Sequence, residues 1–176
     1  AFVTEGLPLY HRRDEPAVAA TSRLSPHLRF GEVSPFQLWE AAHGRDKNSA
    51  KFLGEVGWRE FSWNILFHSP RLATENFRPA FDGFPWGQAD PAELAAWREG
   101  RTGIPLVDAG MRELWRTGWM HNRARMIVAS FLTKNLFIDY RAGERFFMRH
   151  LLDGDVAVNN GGWQWASSTG TDAQPY

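Results

Sequence analysis

Between Asp153 and Thr171 the chain reads Asp-Gly-Asp-Val-Ala-Val-Asn-Asn-Gly-Gly-Trp-Gln-Trp-Ala-Ser-Ser-Thr-Gly-Thr, its densest run of groups that could do chemistry. Two carboxylates two residues apart, an Asn159-Asn160-Gly161-Gly162 turn and two Trp flanking a Gln share what reads as one loop. A flat heterocycle with a polar edge is held by such groups. Amides and carboxylates hydrogen-bond its rim, glycines admit close backbone approach, and indoles stack on it or donate electrons. Each piece has an ordinary use as well, since Asn-Gly is a common turn and paired Trp usually belong to a core. The conjunction points to a cofactor site.

Three other clusters carry chemistry. Thr21-Ser-Arg-Leu-Ser25 precedes Pro26 and offers hydroxyls and a guanidinium to a phosphate, although a plain helix cap is the simpler reading of that hexapeptide. In the next helix Glu55, Trp58 and Ser62 share a face, and Phe52, Glu55 and Arg59 align on neighbouring turns. Glu55 and Arg59 also read as an i, i+4 ion pair worth about 0.3 kcal/mol. Trp119-Met-His-Asn-Arg-Ala-Arg-Met126 puts Asn122 and Met126 one turn apart beside two Arg that are costly to bury unpaired; Asp153 or Asp155 is the expected partner.

Helices must position these groups. Ser34 and Pro35 start one as cap and first residue, running to about His43. A long helix is expected from Ser49 to His68 with Phe52, Val56, Trp63, Leu66 and Phe67 in apolar stripes. Others are expected over Pro91 to Gly100, over Pro105 to Gly118 with Val107, Met111, Leu114 and Trp115 on one face, from Trp119 to about Asn135, and over Ala142 to Leu152. Residues 1 to 20 and 69 to 91 read as irregular. With no strand pattern or internal repeat, the expected fold class is all-α and multi-helical.

Composition narrows the functions. Zero Cys excludes disulfides and thiolate chemistry, and the six His form no His-x-x-x-His pair, so no metal site is expected. No run approaches the roughly 18 apolar residues of a membrane span and no leader pattern opens the chain, which reads as soluble and intracellular. The formal net charge is zero, so any nucleic-acid surface must come from local clustering of basic residues, which are Arg apart from Lys47, Lys51 and Lys134. A GC-rich source explains abundant Arg equally well. Opening at Ala1 without Met and stopping just past the site, the chain reads as a piece cut at both ends.

Taken in order, Thr21-Ser-Arg-Leu-Ser-Pro, Trp58-Arg-Glu-Phe, Gly103-Ile-Pro-Leu-Val-Asp-Ala-Gly-Met, Thr117-Gly-Trp-Met-His-Asn-Arg-Ala-Arg-Met and the run from Asp153 to Asp172 resemble the photolyase/cryptochrome family. The closest branch looks like the class I cyclobutane pyrimidine dimer photolyases. The resemblance covers nearly the whole chain and corresponds to the helical FAD-binding domain. It implies an absent N-terminal α/β domain with an antenna chromophore and a further C-terminal stretch. It also implies a light-driven repair enzyme, a cytoplasmic monomer of bacterial type that joins the nucleoid to act on DNA containing pyrimidine dimers.

Carried onto this sequence, the resemblance gives Tyr10 and Thr21, Ser22, Arg23, Leu24 and Ser25 to the cofactor phosphates. Phe52, Arg59, Trp119, Arg125, Asp153, Gly154 and Asp155 surround the flavin and its adenine-ribose side, and Asn159 faces the flavin's reactive nitrogen. Glu55, Trp58, Asn122, Met126 and Trp165 form the dimer pocket, while Arg13 and Arg123 meet the DNA backbone. The resemblance also implies that the lesion is extruded into this pocket, as base-flipping enzymes do in general. Trp163 and Trp86 match the inner and outer members of an electron-relaying Trp series whose middle member is Tyr140 here. Tyrosine is hard to oxidise without losing its proton, so this departure weighs against efficient photoreduction, with Trp97, Trp115 or Trp119 as a detour.

Three rival readings are weighed. Plant-type signalling cryptochromes carry Asp and animal types Cys where Asn159 stands, and six-four photoproduct repair calls for His at Asn122 and Met126. A helical DNA-binding module without flavin has no use for Asp153, Asp155, Arg125 and Asn159 together.

Overall fold

The computed structural model describes residues 1–170, and all elements among them are helical. The α-helices are α1 (Ser25–Arg29), α2 (Pro35–Ala42), α3 (Lys47–His68), α4 (Pro91–Arg98), α5 (Pro105–Thr117), α6 (Asn122–Ser130), α7 (Tyr140–His150) and α8 (Val156–Ala166). Wider and tighter turns fill the gaps: a π-type turn continues α6 from Phe131 to Asn135, and 3₁₀ turns occupy Leu7–Arg12, Pro70–Ala73 and Pro79–Phe81.

Side chains placed at the ends start most of these helices. Ser34 and Gln37 form a reciprocal capping box on α2, and Asp46, Asp90, Asp139 and Asp155 cap α3, α4, α7 and α8. The α6 cap is a histidine: Nδ1 of buried His121 accepts from Arg123 N at 3.1 Å. Gly118 ends α5 at φ +68, the left-handed conformation that favours glycine.

One core gathers Trp97, Met111, Leu114, Val128, Leu132, Phe147 and Trp163 where α4 to α8 meet. A second joins Leu7, Tyr10, Leu38, Phe52 and Leu53 at the N-terminal end of α3. Residues 1 to 20 are thus more ordered than their irregular sequence suggests, because Leu7 and Tyr10 are anchored under α3. Trp63 and Phe67, expected in an apolar stripe of α3, are exposed in the described residues.

The largest correction concerns the run after Asp153, read as a loop with an Asn-Asn-Gly-Gly turn. Residues 156 to 166 are helical instead. Oδ1 of Asp155 accepts from Ala157 N (2.9 Å) and Val158 N (3.0 Å), starting the helix and outweighing the turn preference of the Asn-Gly pair. Gln164, fully buried, then fastens α8 to the segment before α4: its Oε1 accepts from Phe77 N (2.8 Å) and its Nε2 donates to Glu75 O (3.0 Å) and Asn160 Oδ1 (2.8 Å). Asn160 and Gln164 are therefore structural amides. Thr171 and Asp172, the end of the motif, lie outside the described residues.

Asp108 pins the loop that leads into α5, accepting from Thr102 N (2.8 Å), Thr102 Oγ1 (2.6 Å) and Gly103 N (3.0 Å). Burial pushes its carboxyl up, but these bonds outweigh burial and hold it below the usual range. A depressed folded-state pKa stabilises above the unfolded value and is lost as pH falls through the folded one. Asp108→Ala is expected to cost about 2 kcal/mol at pH 7 in urea unfolding. The difference from the native protein should shrink below about pH 4.

Candidate functional site

A single cleft of about 760 Å³ opens between α3, α6 and α8, with the segment from Tyr10 to Ser25 along one rim. This is within the roughly 300–1,000 Å³ of small-molecule and cofactor sites. Every residue assigned above to the cofactor, the dimer, the DNA backbone or the electron-relaying series lines it except Gly154, Trp86 and Tyr140. The α3 wall presents Phe52, Glu55, Trp58 and Arg59, and α6 presents Asn122, Arg123, Arg125 and Met126. Trp119, Asp153, Asp155, Asn159, Trp163 and Trp165 close the far side, while Tyr10, Arg13 and Thr21 to Ser25 form the rim. A shallower hollow of about 650 Å³ beside Trp39 and His43 has one carboxylate in its lining, Asp46, which is already engaged in capping α3.

Arg125 and Asp153 are the electrostatic centre. One guanidinium nitrogen of Arg125 lies 3.0 and 2.8 Å from the two carboxylate oxygens, and its Nε donates to Met120 O at 2.8 Å. The Asp153 side chain is 5% exposed, a position where a carboxylate without a cationic partner would be costly. Of the two carboxylates weighed as partners, Asp153 takes Arg125. Asp155 uses Oδ1 as a helix cap and keeps Oδ2 buried with no hydrogen-bond partner among the described residues. A buried carboxylate oxygen in that state calls for a ligand N–H or O–H.

The ion pair that spacing leaves open to Glu55 and Arg59 does not form. Glu55 Oε1 is 3.6 Å from Arg13 and 3.5 Å from Lys51, while Arg59 pairs with Glu60 and donates to Leu28 O at 3.3 Å. Arg13 lies over the Tyr10 ring, and burial together with nearby Glu55 pushes the Tyr10 hydroxyl well above its ordinary range. The Asn122 amide lies 3.9 Å from the Met126 sulfur, as their one-turn spacing implies.

Around the phosphate-type cluster, Arg23 adopts φ +53, unusual for a residue with a side chain, and stacks its guanidinium 4.5 Å from the Trp119 ring centre. No side chain caps α1; Ser22 Oγ accepts from Leu24 N at 3.3 Å. Gly154 contributes backbone only: its carbonyl accepts from Arg29 Nε at 2.5 Å.

Each member of the aromatic series packs on other rings. Trp163 is buried, with ring centres 6.2 Å from Trp97 and 5.0 Å from Phe147. Tyr140 is 6.4 Å from Trp86, and its hydroxyl donates to Asn76 Oδ1 at 2.9 Å. Burial raises that hydroxyl to about 12, and its acceptor is an amide, not a base.

Two further groups at the site had no local signal in the sequence. Asp14 binds Arg123 at 3.0 and 2.9 Å across 109 positions, and that bond chiefly holds the Asp14 carboxyl below its ordinary range. Glu144 holds Asn159: the Asn159 Nδ2 donates to the Glu144 carbonyl and to Oε1, each at 3.1 Å.

An all-α domain built round one deep cleft lined by aromatic rings, arginines and a partnerless carboxylate oxygen is a cofactor-binding domain in its geometry. Residues 52–176 match the family described as the FAD binding domain of DNA photolyase, and the chain belongs to that family. It is 53% identical to a deoxyribodipyrimidine photo-lyase of Escherichia coli over 99% of the chain and 39% of that protein. It is 50% identical to one of Agrobacterium fabrum over 99% of the chain and 38% of that protein. Among solved structures, a bacterial class III photolyase from Agrobacterium tumefaciens superposes with a TM-score of 0.95 at 47% identity, covering 99% of this chain and 37% of its own. A Synechocystis cryptochrome gives 0.87 at 35%, covering 98% and 37%. The chain thus spans about two fifths of the length of these relatives. No helix among the described residues is long and apolar enough to cross a membrane.

Proposed function

We propose that this chain is the catalytic part of a light-driven DNA repair enzyme that splits cyclobutane pyrimidine dimers with reduced FAD. The observation that carries this is one cleft holding two different chemistries side by side. The Arg125–Asp153 pair and the orphan oxygen of Asp155 suit a polar cofactor, and Glu55, Trp58, Asn122, Met126 and Trp165 suit paired pyrimidines. The residues fit FAD: Asp155 Oδ2 takes an N–H or O–H, and the Thr21 to Ser25 rim supplies hydroxyls and Arg23 for a diphosphate. When bound, reduced FAD supplies the photoexcited electron that opens the dimer's cyclobutane ring.

The chain's own residues bind and shape the rest. Trp58, 55% exposed at the mouth, offers its indole face to an extruded base, with Trp165 deeper. Glu55 Oε1, between Arg13 and Lys51, is an acceptor for a pyrimidine N–H and keeps nearby cations to balance charge on the dimer. Arg123 exchanges Asp14 for a DNA phosphate, a swap of one anion for another at the rim. Trp163, buried in the cleft wall and packed on Trp97 and Phe147, serves as the inner indole donor for restoring reduced cofactor, and Tyr140 is a poor second step because Asn76 cannot take its proton. The antenna chromophore and the monomeric, cytoplasmic state belong to the same proposal.

Illuminating the FAD-loaded, chemically reduced protein with a dimer-containing oligothymidylate tests it. Thymine absorbance should return in blue light and not in the dark. A bound, photoreducible flavin that leaves the dimers intact would point instead to a photoreceptor of the cryptochrome type, which shares the fold.

A further inference from the structure

We propose that Asp14 is a built-in competitor for DNA, a carboxylate that holds the edge of Arg123 a backbone phosphate takes, limiting affinity at the rim and speeding the departure of repaired DNA. This rests on the repair reading above and deepens it. The geometry is that of a phosphate contact with a carboxylate in its place. Asp14 Oδ1 accepts from Arg123 Nε at 3.0 Å and Oδ2 lies 2.9 Å from Nη2, so the two oxygens take one edge of the planar fork. Oδ2 also lies 3.7 Å from Nη2 of Arg13, the other cation assigned to the DNA backbone. One anion thus answers both.

The third nitrogen of Arg123 is engaged elsewhere. Its Nη1 lies 3.3 Å from the sulfur of Met126, which lines the cleft. A phosphate reaching Arg123 without disturbing that contact must take the Nε and Nη2 edge, where Asp14 already sits. The pair can yield, because its side chains are 38% and 45% exposed and ion pairs open to solvent are weak. The bond to Arg123 chiefly holds the Asp14 carboxyl below its ordinary range, so the competitor is charged at neutral pH. Glu55 repeats the pattern, its Oε1 lying 3.6 Å from Arg13 and 3.5 Å from Lys51. DNA therefore meets rim cations that are already neutralised, and binding exchanges one anion for another.

Affinity and off-rate for an undamaged duplex, measured in the dark over a range of salt, test this with native protein, Asp14→Asn and Glu15→Gln. The last removes the same charge one residue away, from a carboxylate that pairs with Arg12. Asp14→Asn should bind about threefold to fivefold tighter, mostly through a slower off-rate, with a salt slope steeper by about 0.9. Glu15→Gln should stay within about twofold of native. On an Arg123→Ala background, Asp14→Asn should lose most of its gain. Weaker binding by Asp14→Asn would make Asp14 a support that positions Arg123, and an equal gain in Glu15→Gln would reduce the effect to net charge. Either result overturns the competitor. Photorepair of a dimer-containing duplex by the same FAD-loaded samples separates the two readings. Repair by native protein with no tightening in Asp14→Asn overturns this inference alone, whereas DNA binding by neither protein overturns the repair reading along with it.

Discussion

Replacing Arg125 with Ala is expected to destabilise the protein by about 3–5 kcal/mol and to abolish FAD retention. The Asp153 side chain is 5% exposed, and this guanidinium holds both of its carboxylate oxygens, at 2.8 and 3.0 Å. Breaking a buried pair from one side strands the other charge, which costs more than the pair is worth as a unit. Arg125 also ties the loop before α6 through Met120 O, so its loss frees the cap region as well. Removing both partners, Arg125→Ala with Asp153→Ala, should restore part of the stability but not FAD binding, because the stranded charge is gone while the polar cradle is too. Arg125→Lys should fall between them, since one ammonium cannot hold carboxylate and carbonyl with the same fork. Urea unfolding measures the first effect and equilibrium dialysis the second.

Gly143→Ala is expected to be the most damaging single methyl group. The added Cβ would lie 2.2 and 2.6 Å from Trp163 ring atoms and 2.7 Å from Leu132 Cδ2. Trp163 has nowhere to go, since Trp97 and Phe147 pack against it and it is 3% exposed. Overpacking at such a site costs about 1–3 kcal/mol or more, and here it also displaces the cleft's inner indole. Combining Gly143→Ala with Trp163→Phe should cost less than the sum of the two, because the smaller ring vacates the space the methyl needs. Thermal unfolding of the four proteins checks this coupling; strict additivity would place the clash elsewhere.

The helices with ordinary signals were legible from residues alone. Ser34-Pro35 and the Val107, Met111, Leu114 stripe became α2 and α5, with three of the latter's apolar residues fully buried. α8 was not, because its start signal, Asp155, doubles as a group with chemistry, and Asn-Gly favours a turn until tertiary contacts such as those of Gln164 with Phe77 and Glu75 overrule it. The cleft followed from shared helical faces and from the family motifs, and their residues do come together. What stayed hidden was pairing between distant segments. Nothing in the sequence around Asp14 points to Arg123, and Glu144 sits in an unremarked stretch of α7. The alternative Glu55–Arg59 pair is not made for the converse reason: correct spacing on one helix yielded to Lys51 and to Arg13, the latter supplied by another segment.

The claim that the cleft between α3, α6 and α8 is a flavin site is tested most directly by equilibrium dialysis of FAD against native protein and Arg125→Ala side by side. Native protein should retain one FAD per chain with a perturbed flavin spectrum, and Arg125→Ala should retain none while still folded at low temperature. Equal retention by both, or free-flavin spectra in both, would contradict it.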